Sequence, residues 1–426
     1  MVKTKLLGIL IIAAVAGGLY LLVQSARDGG AKFNYEVVSP FRYKISLFDS
    51  IPQVVRIRIT PDGETMLVGT LAENIYAYRK VNGEFVRQEK PFFDPKTGLP
   101  GFPPEESGLS GIAFGVDFEQ SGDVFLLYTA HSENSRGETV LKNRISRIQF
   151  AKRPDGVFGE NPVLIWEGNT DSAPSHQVQG GVGIFIENEP HLIFNVGDAV
   201  DGDKAHDLSR EAGKVMLIQR DGKAPLGPRP YPSAPKIQAV GLRNAFDIAL
   251  NPFDPLQRFA IGDTGTDRFD RFIYGALVSL LGTTKGQDLR WDGTNESLER
   301  SAPDQNVPGN PDMILHRWDP TETVTDIVFV AGGKGGIPAS DATAASVLLS
   351  IWGHTGSTDI TPGKEILLGR LTHGSKPSIT LSPFVRRSEK GRGSMGHPIG
   401  LAVDPSGGTI YFGDILEGKL YKVTPK

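Results

Sequence analysis

A histidine at a loop-to-strand junction is the first residue of this sequence that could do acid–base chemistry. His176 stands in the polar, glycine-rich stretch Asp171–Val182, just before an apolar segment. An imidazole titrates near neutral pH, so a histidine at such a junction can act as a general base. From this segment alone, a structural role is favoured, in which the loop histidine hydrogen-bonds a backbone carbonyl.

The second candidate is the pair Arg243–Asn244, which ends a Gly-Leu-Arg-Asn motif directly before an apolar, strand-like segment. A guanidinium offers a planar fork of donors to a carboxylate or quinone oxygen, and an amide offers both a donor and an acceptor. The alternative is an arginine packed over an aromatic ring, with the asparagine holding the turn. The pair therefore predicts either a ligand contact or a structural corner.

Two acidic loops could bind a cation. In the loop 262–271, oxygen ligands for Ca²⁺ could come from carboxylates and backbone carbonyls together, although the spacing is not that of an EF-hand. The candidate ligands are Gly265, Thr266, Asp267 and Asp270. Alternatively, Arg268 and Arg271 neutralise these acids. The loop 197–204 leaves the same choice open, and a turn with solvated carboxylates would explain it.

The elements that must position these residues recur along the chain. About six times, alternating apolar residues run into an Asp-Pro, Asn or Gly turn and continue after it, most clearly in Val55–Thr70 and Pro398–Asp414. This pattern indicates antiparallel hairpins in units that pack on one another. We predict an all-β fold, a six-bladed β-propeller over residues 31–426. Its blades should run from near Val54 to near Val423, and residues 31–50 should extend the last blade or cross a face.

Composition limits the function classes. The chain has 426 residues, 22% of them charged, and a net charge of -4, so it lacks the basic surface that a nucleic-acid partner would need. It contains no cysteine, which excludes thiolate metal sites, thiol catalysis and a thiol redox pair. In a propeller, the chemistry is expected where loops of several blades converge on the axis.

Residues 1–30 differ from the rest of the chain. Lys3 and Lys5 precede an uncharged apolar run from Leu6 to Val23. Such a run predicts one transmembrane helix, with the lysines inside and the propeller outside the cytoplasm, periplasmic or extracellular. The alternative is a signal peptide cleaved near Ser25, which would leave a secreted protein.

Five motifs in a fixed order carry a family resemblance. They are Gly108–Phe114, His176 with Gly180–Gly181 and a strand ending Val196–Asp198, Gly213–Gly222, Gly241–Asn244 and Gly262–Asp270. Over roughly residues 50 to 425 the chain resembles the soluble glucose, aldose sugar and sorbosone dehydrogenases. That family is a six-bladed propeller that carries pyrroloquinoline quinone (PQQ) and calcium.

The resemblance implies a role for each candidate. His176 would take the proton of the sugar's anomeric hydroxyl while hydride passes to the quinone, and an external acceptor would then remove the electrons. Arg243 and Asn244 would contact the quinone. The backbone carbonyls of Gly265 and Thr266 would hold the calcium ion.

The chain also departs from the family pattern. Extra residues separate His176 from Gly180, and Val182 stands where an arginine is usual. A lysine of the fifth blade and an Arg-x-Arg before the last blade, which face the cofactor's carboxylates in the glucose-oxidising branch, are absent. His354 and His397 stand in the corresponding segments and are the implied replacements as cofactor contacts.

Three functional classes follow. The first is a PQQ-dependent sugar dehydrogenase, favoured by His176 with Arg243 and Asn244. The second is an exported binding propeller without turnover, favoured by the missing cations. The third is a calcium-dependent lactone hydrolase, because such propellers also use an axial metal and a histidine. Fold alone does not decide between them.

Overall fold

The computed structural model describes most of the chain after residue 34. The described ranges are 35–102, 108–134, 136–173, 176–227, 229–277, 281, 286–300, 313–353, 364–374, 376–387 and 396–426. The predicted membrane segment Leu6–Val23 and His354 lie outside them. Within these ranges, no helix has the length and apolar character needed to cross a bilayer.

The described strands form six sheets, which confirms the predicted number of blades. Neighbouring strands pair antiparallel, with one short exception in blade 3. Blade 1 contains Val54–Ile59, Thr65–Thr70, Ile75–Val81 and Glu84–Arg87. Blade 2 contains Leu109–Phe114, Asp123–Glu133, Thr139–Arg153 and Gly156–Asp171. Blade 3 contains Val178–Ile186, Glu189–Val196, Lys214–Gln219, Ile237–Val240 and the parallel addition Gln287–Asp288.

Blades 5 and 6 each include a strand from the beginning of the described chain, whereas blade 4 does not. Blade 4 contains Ala245–Leu250, Arg258–Asp263, Asp270–Ala276 and Ile314–Trp318. Blade 5 contains Val324–Val330, Ala344–Ile351, Glu365–Thr372, Ser378–Arg387 and Tyr35–Val37. Blade 6 contains Pro398–Val403, Ile410–Asp414, Lys419–Pro425 and Tyr43–Ser50. The strand Tyr43–Ser50 therefore extends the last blade, as predicted, whereas Tyr35–Val37 pairs with Ser378–Arg387 at the edge of blade 5, which the sequence did not predict.

Helices are short and lie between strands. The helical segments among the described residues are Pro95–Gly98, Phe118–Ser121, the 3₁₀ turn Gly202–His206 and Asn295–Arg300. Buried apolar side chains of adjacent blades pack together into clusters around the ring, because each sheet is apolar on both faces. The core thus lies between the blades.

The first strand of each blade lines the axis, and these six strands contact one another in a closed ring. Each has a β-bulge near its start. Charged side chains fill the space at the axis. The guanidinium of Arg56 donates to Asp326 at 2.6 Å, and that of Arg58 donates to Asp247 at 3.0 Å. Both aspartates are buried and also accept backbone N–H groups, so both carboxylates are paired and hydrogen-bonded as burial requires.

Candidate active site

The antiparallel order brings the sequence candidates to one end of the ring. In every blade, the residues before the first strand and those after the second strand lie at the same end. We call this end the mouth face. Residues 176–177, 243–244 and 396–397 reach it from first strands, and residues 197–198, 264–265 and 352–353 reach it from second strands.

His176 forms a buried pair with Asp198. Its Nδ1 lies 2.6 Å from Asp198 Oδ1, and both residues are more than nine-tenths buried. A carboxylate accepts, so Nδ1 carries the proton and Nε2 the lone pair. Gly197 makes the approach possible, because a Cβ on it would lie 2.8 Å from the backbone carbon of His176. His176 therefore pairs with a carboxylate and not with a backbone carbonyl.

Asp198 corrects the interpretation of the loop 197–204 as a solvated turn. Its carboxylate also accepts the amide of Val200 at 2.9 Å and the indole N–H of Trp291 at 2.8 Å. Burial alone would raise the pKa of Asp198, but the hydrogen bonds from His176 and Trp291 and the charge of Arg243 hold it below the ordinary value. The aspartate is thus ionised and fixed in orientation. Its place directly after an apolar strand, in a segment that belongs to the family resemblance, was the signal in the sequence.

The carboxylate of Asp263 fixes the backbone of the Arg243–Asn244 turn. One oxygen of that carboxylate accepts the amides of Arg243 at 3.1 Å and Asn244 at 2.8 Å. The other oxygen pairs with the guanidinium of Arg271, whose side chain is fully buried. Asn244 Oδ1 accepts from Gln179 at 3.2 Å, which leaves the amide nitrogen to donate toward a ligand. The backbone of the turn and the Asn244 side chain are therefore both fixed by hydrogen bonds within the protein.

The guanidinium of Arg243 lies over backbone carbonyls and an aromatic ring. Nη1 donates to the carbonyl of Thr264 at 3.0 Å and to that of Gly265. The guanidinium carbon lies 5.9 Å from the ring centroid of Trp291. Burial lowers the pKa of Arg243, and surrounding carboxylates, first among them Asp198 and Asp263, oppose that effect. Both alternatives for this arginine remain compatible with the geometry, since it packs on an aromatic ring at the mouth face.

The acidic loop does not gather its carboxylates at one point. Asp267 is exposed and bonds to Thr266 and Asn295, whereas Asp270 is buried and accepts the amides of Gly265 and Glu322 at 2.7 and 2.6 Å. Burial raises the pKa of Asp270 to about 6, although these amide bonds oppose it. In the described part of the chain, no three or more histidine, aspartate or glutamate side chains form a metal-binding group.

The arginines of this loop pair with carboxylates. Arg268 forms an exposed bidentate pair with Asp319, and Arg271 binds Asp263. The Gly265 carbonyl, which the resemblance assigns to calcium, accepts from Arg243. Oxygen donors are thus present near the predicted calcium position, but they come mainly from the backbone.

Blades 5 and 6 contribute stacked rings and a lysine. His397 stacks on Trp352 with ring centroids 4.2 Å apart and bonds the Trp352 carbonyl through Nδ1. Loss of solvent, together with the charge of Lys364, lowers the pKa of His397 to about 4, although the bond to the Trp352 carbonyl opposes this shift. His397 is therefore neutral at neutral pH and supplies no positive charge. Lys364, which sequence reasoning missed, is buried beside Gly353 and brings a cation to this blade.

Fold and site together define a class, a six-bladed propeller with a buried histidine–aspartate pair beside an arginine at its mouth. The sequence profile of the Glucose / Sorbosone dehydrogenase family matches residues 56–333, so the chain belongs to this family of sugar-oxidising enzymes. A comparison with curated protein sequences found no match.

Solved structures share the fold at low sequence identity. The soluble aldose sugar dehydrogenase from Escherichia coli, in the apo-form, is 15% identical with a TM-score of 0.64, over 90% of this chain and 100% of that one. The PQQ-bound aldose sugar dehydrogenase from Streptomyces coelicolor is 17% identical with a TM-score of 0.58, over 91% and 100%. A calcium structure of Trichoderma reesei family AA12 is 12% identical with a TM-score of 0.63, over 94% and 100%.

Proposed function

We propose that this chain oxidises an aldose or a related sugar and uses PQQ as the hydride acceptor. The observation that carries the proposal is the buried His176–Asp198 pair, 2.6 Å apart, beside Arg243. A histidine oriented by a carboxylate is what a general base at neutral pH requires. The PQQ bound in the Streptomyces coelicolor structure, whose fold this chain shares, supports the choice of cofactor.

The donors at the mouth face suit an anionic, planar quinone. Arg243 provides guanidinium N–H groups, and the amide nitrogen of Asn244 points away from its bond to Gln179. The hydroxyl of Thr264 is buried without a hydrogen-bond partner in the described part of the chain. A buried polar group that is left unpaired costs free energy, so a ligand that satisfies it is favoured.

Further contacts would come from blades 5 and 6. Lys364 offers a positive charge on blade 5, the blade on which the family's lysine was expected to be absent. The stacked rings of His397 and Trp352 offer a flat, neutral surface. His354 stays a prediction. In this proposal, Arg243, Asn244 and Lys364 hold the acidic groups of the cofactor, and His397 contributes ring contact.

The protein's part in the reaction is proton removal. The quinone, when bound, accepts the hydride of the anomeric carbon, which oxidises the aldose to a lactone. His176 Nε2 takes the proton of the anomeric hydroxyl because Nδ1 is already committed to Asp198. Asp198 then stabilises the imidazolium that forms, without itself becoming protonated. Burial of both residues strengthens this interaction by excluding water.

Calcium belongs to the proposal as a second ligand. The carbonyls of Thr264 and Gly265 are hard oxygen donors of the type that Ca²⁺ prefers, and the exposed carboxylate of Asp267 lies in the same loop. Thr266 would add its carbonyl. The carbonyls of Thr264 and Gly265 accept from Arg243, so the calcium ion and the guanidinium would compete for them. Calcium, when bound, would polarise the quinone.

The place of the protein in the cell is also a proposal. We expect the propeller to lie outside the cytoplasm, held by residues 1–30 or released after cleavage near Ser25, with an external electron acceptor. The lysines before the apolar run Leu6–Val23 support this orientation. Fractionation of cells and N-terminal sequencing of the mature protein would separate an anchored from a secreted form.

Reconstitution tests the function directly. Purified protein is mixed with PQQ and Ca²⁺, passed through gel filtration, and supplied with aldoses and a reducible dye. We expect a quinone absorbance that travels with the protein and a dye reduction that depends on sugar. Protein that holds quinone and calcium but reduces no dye with any aldose would support the binding propeller instead. Release of acid from a lactone without any quinone would support the hydrolase.

A further inference from the structure

A loop inserted in blade 4 reaches across to the site on blade 3. We call residues 286–295 the tryptophan loop. Gln287–Asp288 adds a parallel strand to Ile237–Val240, and the amides of Leu289 and Trp291 donate to the carbonyls of Val240 and Gly241 at 2.8 and 3.0 Å. The guanidinium of Arg271 also binds the Leu289 carbonyl. The loop is therefore fixed to the base of the Arg243 turn.

Trp291, which this loop carries, contacts both Asp198 and Arg243. Its side chain is almost fully buried, and its indole N–H donates to Asp198 Oδ2 at 2.8 Å. Its ring lies under the guanidinium of Arg243, within the distance at which a cation and an aromatic face attract each other. One side chain therefore contacts the carboxylate that orients His176 and the arginine that faces the cofactor.

A close backbone contact fixes the depth of the loop. Gly202, in the turn that follows Asp198, lies so close to Gly293 that a Cβ on it would be 2.1 Å from the Gly293 Cα and 3.3 Å from the Trp291 indole nitrogen. Real Cβ atoms do not approach backbone atoms so closely, so a side chain at residue 202 must push the loop away. The structure thus offers a way to move Trp291 without changing it.

We propose that Trp291 is a positioning residue that couples the base to the cofactor contact: its indole N–H fixes the Asp198 carboxylate, and its ring supports the Arg243 guanidinium. The proposal rests on the proposed function, in which His176 is the base. Asp198 Oδ1 is shared by His176 and Val200, so Oδ2 depends on Trp291 to keep the carboxylate from rotating. A rotated carboxylate would release the imidazole from its working orientation.

Two substitutions separate the two contacts. Trp291→Phe keeps a ring under Arg243 but removes the N–H. Because hydrogen bonds to charged groups are the stronger ones, kcat should fall roughly tenfold to a hundredfold, with little change in the KM for sugar or in quinone affinity. Trp291→Leu removes the ring as well and should weaken quinone binding in addition. Trp166→Phe is the matched control, because Trp166 is buried in blade 2 against Phe194.

A measurement without cofactor tests the positioning by itself. A buried imidazole N–H that donates to a carboxylate gives a downfield proton resonance, which His176→Gln would identify by its loss. We expect Trp291→Phe and Gly202→Ala to shift or broaden this resonance in the quinone-free protein, and Trp166→Phe to leave it unchanged. Gly202→Ala also covers the case in which a Trp291 variant does not fold.

The outcomes are distinguishable. An unchanged resonance in Trp291→Phe, with kcat equal to that of the Trp166→Phe control, overturns the positioning role. A shifted resonance in a protein whose wild type oxidises no aldose supports the positioning role and removes the proposed function. A shifted resonance together with lower kcat supports both.

Discussion

The backbone amide of Asp198 donates to the backbone carbonyl of Arg243 at 2.8 Å. The loop that contacts the proposed base, His176, and the turn that carries the proposed cofactor contact, Arg243, are therefore joined directly, from blade 3 to blade 4. Trp291 joins the same two residues through its side chain. A shift of either loop would be felt by the other, so we expect substitutions on one side to change the kinetics assigned to the other.

Removing the base should abolish turnover without unfolding the protein. His176→Gln deletes the lone pair that accepts the substrate proton, and a positioned base contributes roughly two to four powers of ten in rate. Dye reduction with aldoses measures the loss, and circular dichroism and quinone absorbance test the fold and the cofactor. His131→Gln, an exposed histidine of blade 2, is the control. Full activity in the His176→Gln variant would show that His176 is not the base and would make His397 and His354 the next candidates.

Truncating the side chain of Arg243 should weaken cofactor binding. Arg243→Ala removes charge-assisted donors to an anionic ligand, which are worth on the order of 1.5 to 3 kcal/mol. Absorbance titration with PQQ measures the change in Kd. Arg268→Ala is the control because Arg268 lies exposed in the next loop and pairs with Asp319. Equal affinity in the two variants would assign Arg243 to packing over Trp291 alone.

Calcium should stabilise the propeller if the loop 262–271 binds it. A chelator should lower the Tm, and added Ca²⁺ should restore it. A ligand that binds only the folded state, at a concentration a hundredfold above its Kd, adds about 2.7 kcal/mol to the free energy of unfolding. Asp267→Ala should reduce this response, whereas Asp155→Ala in an exposed turn of blade 2 should not. The Arg243→Ala variant should bind Ca²⁺ more tightly in the absence of quinone, because the carbonyls of Thr264 and Gly265 no longer accept from the guanidinium. A Tm that ignores the chelator contradicts the calcium site.

The pair Arg271–Asp263 should matter for stability more than any surface pair. Both side chains are buried, and Arg271→Met leaves the Asp263 carboxylate without its ion partner. Breaking such a pair costs about 3 to 5 kcal/mol, whereas an exposed pair contributes about 0 to 1 kcal/mol. Urea unfolding compares this variant with Arg386→Met, which breaks the exposed pair with Glu36. Similar midpoints for the two variants would show that Asp263 finds other partners.

The protein should lose stability from Asp414 as the pH rises. Burial raises the pKa of Asp414 to about 7, while Tyr35 and backbone amides oppose the shift. The proton is therefore held more tightly in the folded state. Stability from this group is fully present below about pH 4, the ordinary pKa, and is lost as the pH passes 7.

Asp414→Asn removes this titration while it keeps an acceptor for Tyr35. The Tm of the wild type relative to Asp414→Asn should fall between pH 5 and pH 8. Glu119→Gln, an exposed change, should leave the difference from wild type constant over this range. A constant difference for Asp414→Asn as well would mean that the carboxyl is ionised at both pH values.

Local sequence predicted the blades well and the long-range pairs poorly. Alternation around Asp-Gly-type turns predicted the first two strands of each blade, including Val55–Thr70. The same local order placed His176 and Arg243 at one end of the ring. The axial pairs of Arg56 and Arg58 with Asp326 and Asp247 join distant blades, and no local pattern indicates such partners.

The missed site residues share a physical cause. Asp198 looked like a solvated turn acid because its partners, His176 and Trp291, come from a preceding loop and from an insertion far along the chain. Lys364 was missed because it stands at the start of a third strand and reaches its place only beside Gly353. Tertiary packing, and not residue type, decides which polar side chains become buried.

The pairing of Tyr43–Ser50 with Lys419–Pro425 has a consequence for how the protein is made. A ribosome releases the first of these strands long before its partner exists, so blade 6 cannot form until nearly all of the described chain has emerged. Until then, the early strand exposes an unpaired edge, and contacts so distant in sequence form slowly. Biogenesis of this propeller should therefore depend on factors that shield that strand during synthesis or export.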